Sequence, residues 1–86
     1  MAHTADQHLS ADMQHCLDNC SSCHDTCLTT VAHCLQMGGK HAEASHITLL
    51  LDCAQICETS ADAMLRHSTQ SSTICRACAD ICRACA

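Results

Sequence analysis

The chain has 86 residues, eleven of them Cys, with no Phe, Tyr, Trp or Pro, two Gly, and a formal net charge of -5 with histidine neutral. A chain this short makes one domain with a thin core, and without aromatic rings the usual source of large buried area is missing. The acidic balance and the lack of base-stacking rings exclude nucleic acid as a partner, and no stretch reaches the ~20 apolar residues of a membrane span.

Near the N-terminus, Thr4 with Gln7 has capping-box spacing and Ser10 offers a second N-cap, so a first helix is expected from one of these to Met37. Gly38 and Gly39 are the only glycines and mark the first loop. A second helix is expected from about His41 to His67, where Ile47, Leu49, Leu50, Leu51, Ile56 and Leu65 recur at helical intervals. "HSTQSST", residues 67 to 73, reads as the second loop. A third helix starts between Ser71 and Thr73 and runs to Ala86. The fold class is therefore all-α: an antiparallel up-and-down bundle of about three helices, forming a single domain over residues 1-86.

Cysteine usage on this scale would suit a secreted disulfide scaffold, but two features oppose it. "MAHTADQHLSADMQHC" has no basic region followed by an apolar stretch, so a reducing cytoplasm is the expected compartment. An odd cysteine count also leaves one thiol unpaired.

One face of the first helix carries positions 9, 13, 16, 20, 23, 27, 30, 34 and 37, which alternate by four and three like the seam of packed helices. They read Leu9, Met13, Cys16, Cys20, Cys23, Cys27, Thr30, Cys34 and Met37. A seam chosen for packing alone would use Leu, Ile and Val, so cysteine on five of these positions implies that sulfur is wanted inward.

An antiparallel hairpin about the glycines sets Cys27 opposite Cys53, Cys23 opposite Cys57, Cys16 opposite Met64 and Cys34 opposite His46. A second turn at residues 69 to 70 brings Cys85 beside Cys53 or Ala54, Cys82 beside Cys57, and Cys75 beside Met64; Cys78 faces Ala61 with Cys20 nearby. The expected layers are Cys27, Cys53 and Cys85; Cys23, Cys57 and Cys82; Cys20 and Cys78; and Cys16, Met64 and Cys75.

CxxxC on a helix, as in Cys16/Cys20, Cys23/Cys27, Cys53/Cys57 and Cys78/Cys82, places two sulfurs on one face. Soft thiolates in low coordination suit Cu(I), whereas zinc takes a closed tetrahedron. Buried thiolates without counterions are costly, so ions bridged by shared sulfurs are favoured over isolated ones, and binding releases protons. Cys75, Cys78, Cys82 and Cys85 differ from a ferredoxin run in spacing and lack its proline. The CxxC of Cys75 and Cys78 has no preceding strand to make a thioredoxin-like unit, and no acid–base pair or activated nucleophile points to an enzyme. His15, His24 and His33 sit one position off the seam as flanking residues, while Met13, Met37 and His67 are weaker ligand candidates. Met64 and His46 join the eleven cysteines as candidate metal ligands.

"CLDNCSSCHDTC", "GGKHAEASHITLLLDCAQICETSADAMLR" and "CRACADICRACA" together resemble the cysteine-rich four-helix-bundle copper storage proteins, specifically their cytosolic bacterial branch. That resemblance implies many Cu(I) ions on thiolates lining the bundle, with His and Met near one open end, and a role in storage and buffering instead of catalysis. The family has a fourth cysteine-bearing helix, whereas this sequence stops within or just after the third. The expectation is a truncated bundle or a wall supplied by another subunit, and hence a homo-oligomer. The competing reading is a structural zinc-binding or disulfide-stapled interaction module.

Overall fold

In a computed structural model that describes residues 9–85, the chain forms three helices: α1, Ala11–Met37; α2, Ala44–Leu65; and α3, Ser71–Cys85. The described residues contain no strand. The Thr4 and Gln7 capping option lies outside the described residues; Ser10 is the N-cap, its hydroxyl accepting from the Met13 N–H at 3.1 Å.

The first turn begins where the sequence places it. The Gly38 N–H donates to the Cys34 carbonyl at 3.0 Å, and Gly38 takes φ 70 and ψ -166, a combination essentially confined to glycine. A short 3-10 turn, Gly39–Ala42, then reverses the chain. For this reason α2 starts at Ala44, three residues later than the expected His41, and it ends at Leu65 ahead of His67. His67 itself adopts φ 54, and the N–H of Ser68 reaches back to the Ala63 carbonyl at 2.9 Å, closing the helix in a Schellman-type cap without glycine. The Ser71 hydroxyl donates to the Ser68 carbonyl at 2.9 Å and ties the start of α3 to this turn.

α1 and α3 both pack against α2, while their own backbones stay farther apart and meet only through side chains. This arrangement leaves α2 as the centre of the molecule and a groove between the outer helices. The burial pattern follows: α2 supplies Leu50, Cys53, Ala54, Cys57, Ser60, Ala63 and Met64, α1 supplies only Cys27 and Cys34, and α3 only Cys78. Apolar residues turned away from the core stay in contact with water, with Leu35 of α1 57% and Leu65 of α2 55% exposed. The assembly is rod-like, 54 × 21 × 17 Å.

Candidate metal centre

The four-and-three spacing keeps the α1 cysteines on one stripe as the helix advances ~100° per residue. α2 presents Cys53 and Cys57 to that stripe, and α3 brings Cys78, Cys82 and Cys85 over them from the other side. The Cys53 sulfur lies 3.2 Å from Cys82 and 3.5 Å from Cys23; Cys82 is in turn 3.6 Å from Cys57 and 3.8 Å from Cys23. Cys57 and Cys78 approach to 3.7 Å. The intrahelical pairs Cys23/Cys27 and Cys78/Cys82 have sulfurs 4.0 and 3.9 Å apart.

Three groups have all their sulfurs within 4.8 Å of one another: Cys23, Cys53, Cys57 and Cys82; Cys20, Cys57 and Cys78; and Cys27, Cys53 and Cys85. Cys53 belongs to two groups and Cys57 to two, so the groups form one connected chain with α2 as its spine. All eleven cysteines are free thiols.

The register places Cys82 between Cys53 and Cys57 instead of beside Cys57 alone, and Cys78 against Cys57, not only across from Ala61. The remaining candidates are dispersed. Cys16 is exposed and Cys75 half-buried; both line a groove of about 270 Å³ together with Cys20, Cys78 and Ser60. Met64 is buried, 2% exposed, and is not among the residues lining that groove. Cys34 meets His46 Nε2 at 3.5 Å near the first turn, where the His33 and His41 rings stand edge to face. His24 is held on the outside by Asp25 at 3.0 Å and Glu58 at 3.4 Å.

Burial sets the electrostatics. Desolvation pushes the Cys27 thiol up to about 11 and Cys78 to about 12, and drives Cys53 and Cys57 further in the same direction, helped by their sulfur neighbours. Cys20 is raised as well, again chiefly by burial. Cys23 is different: burial pushes it up, but hydrogen bonds from Cys53, Cys57, Cys82 and Cys27 outweigh that and pull it below the ordinary thiol value. Without metal, burial keeps Cys27, Cys53, Cys57 and Cys78 as neutral thiols, while Cys23 beside them is shifted the other way. Soft sulfur donors at these separations fit a thiophilic ion, since an ion placed among them replaces protons with a charge the thiolates can share.

Ser60 is the residue of the site that the cysteine pattern does not reveal. It is fully buried, and its hydroxyl lies 3.1 Å from Cys75 Sγ. The available signal is positional: 53, 57, 60 and 64 continue the seam of α2 by four, three and four.

The sequence profile of the family described as copper storage protein matches residues 9–86. A cysteine-rich protein of Bacillus subtilis, YhjQ, is 36% identical over 70 residues; the match covers 81% of this chain and 65% of the relative, so the chain spans less than two thirds of that relative's length. The crystal structure of the Nmul_A1745 protein from Nitrosospira multiformis superposes with a TM-score of 0.83 at 49% identity, covering 85% of this chain and 68% of that one.

Proposed function

The chain belongs to the copper storage protein family, and from that premise we propose that it binds and stores several Cu(I) ions on cysteine thiolates lining the helical bundle, buffering copper in the cytoplasm. The observation that carries this reading is the connected chain of three sulfur groups through Cys53 and Cys57. Sulfurs shared between groups let each thiolate charge serve two ions, which suits accumulation of a monovalent soft metal. Cys20, Cys23, Cys27, Cys53, Cys57, Cys78, Cys82 and Cys85 are the proposed principal ligands. Cys16, Cys34, Cys75, His46 and Met64 are proposed as further ligands towards the two ends. The role is non-enzymatic. No helix of the described residues is long and apolar enough to cross a membrane. The groove between α1 and α3 leaves thiols accessible, which supports self-association of the chain.

One feature favours a second reading: Cys23, Cys53, Cys57 and Cys82 form a four-sulfur group of the kind that closes around a single structural zinc ion. The two readings differ in number. Anaerobic titration of the reduced chain with Cu(I) against a chromophoric chelator is expected to show several ions per chain withheld from the chelator. Saturation at one ion, or preference for zinc with a helix content that collapses on chelation, would refute storage.

A further inference from the structure

Among the described residues Ser60 is the single buried polar side chain, with 0% exposure. The hydroxyls of Thr29 and Thr30, by contrast, turn back to the main chain and donate to the Thr26 carbonyl at 3.0 and 2.6 Å. The Ser60 hydroxyl is turned towards sulfur: it meets Cys75 Sγ at 3.1 Å. It lies at a seam position of α2, between Cys57 and Met64, where the chain of sulfur groups ends.

Resting on the copper reading above, we infer that Ser60 is a positioning residue for a terminal ion at the Cys20 and Cys75 end of the groove, its hydroxyl donating to the Cys75 sulfur when that sulfur is a metal-bound thiolate. Between a neutral thiol and a hydroxyl either atom can supply the proton. Once the sulfur has surrendered its proton to bind metal, only the hydroxyl has one to give. A serine carries one such hydrogen, and Cys75 Sγ, 3.1 Å away, lies within its reach.

The need for a donor here follows from topology. In the middle of the chain Cys53 and Cys57 each belong to two groups, so bridging ions can spread their charge. Cys75 lies outside all three groups and has fewer ions to share with. A hydrogen bond from a buried hydroxyl takes the place of the missing second ion, and such a charge-assisted bond is stronger than one between neutral groups.

The test is a double-mutant cycle on the full chain, Ser60→Ala, Cys75→Ala and the pair, read by anaerobic Cu(I) competition with bathocuproine disulfonate. Circular dichroism of each metal-free variant confirms that the helices are kept. Ser60→Ala is expected to bind as many ions as the parent while the most weakly held ion loses about tenfold or more in affinity. In the Cys75→Ala background the same substitution should have no further effect, because the acceptor is gone. A Ser60→Ala chain indistinguishable from its parent overturns the inference, as does a weakening that persists without Cys75. A parent chain that saturates at one ion fails the storage reading itself, a result separate from either of these.

Discussion

Lowering the pH at which copper is offered perturbs the centre through its buried thiols. Cys27 and Cys78 stand at about 11 and about 12, against an ordinary value of 9.0. At pH 7, producing the Cys27 thiolate therefore costs about 5 kcal/mol, roughly twice the cost for an ordinary thiol. Metal coordination has to offset that cost, and each thiol recruited as a ligand expels one proton. The sign is fixed: as pH falls, protons compete better and copper is held less tightly. For an ion held by two thiolates that were thiols beforehand, affinity should fall about a hundredfold per pH unit, or about ten-thousandfold from pH 8 to pH 6. The assay is an anaerobic competition series at pH 6, 7 and 8 against a Cu(I) chelator whose own protonation is corrected for. Cys23, pulled below the ordinary thiol value by its neighbours, gives up its proton at less cost than Cys27 or Cys78. An affinity that changes less than about tenfold per pH unit would refute the argument that the ligands are buried neutral thiols before metal arrives.

The same shifts act on the metal-free fold. The folded-state values of Cys27 and Cys78 lie above 9.0, so their stabilising contribution is complete below about pH 9 and is lost as pH rises towards about 11 and 12; helicity of the reduced chain at 222 nm should decline over that window. Cys57→Ala removes a sulfur from two groups and Cys85→Ala from one, so the first should withhold fewer copper equivalents from a competing chelator; equal losses would contradict sharing through α2. Leu50→Ala, at a site 5% exposed in the core, should destabilise the metal-free chain by about 2–5 kcal/mol in urea unfolding. Leu35→Ala, at a site 57% exposed, should stay within about 0.5 kcal/mol of the parent.

Helix boundaries and the facing of the cysteines were legible in the sequence because both are local properties. Capping at Ser10, the paired glycines after Met37 and the cap-rich stretch around Ser71 need no partner helix to be read. The sulfur stripe of α1 is equally local, since a four-and-three spacing fixes the direction of each Cβ about the helix axis. An antiparallel register about the two turns was enough to bring Cys27, Cys53 and Cys85 to one level. The 3-10 turn at Gly39–Ala42 was not legible, because "GKHA" carries no signal separating a tight turn from the first turn of α2.

What spacing cannot give is how far one helix slides and rolls against the next. That displacement, set by side-chain packing across α2, put Cys82 between Cys53 and Cys57, joined separate layers into one connected chain, and aimed the Ser60 hydroxyl at Cys75. It also left Cys16 exposed, although Cys16 shares its seam with the buried Cys27. The sequence by itself determined that sulfur would line the inside of a helical hairpin and a third helix. The tertiary structure alone decided which sulfurs are shared, because sharing depends on separations of 3 to 4 Å across helices, which the ~1.5 Å rise and ~100° rotation per residue of a single helix do not specify without a packed partner.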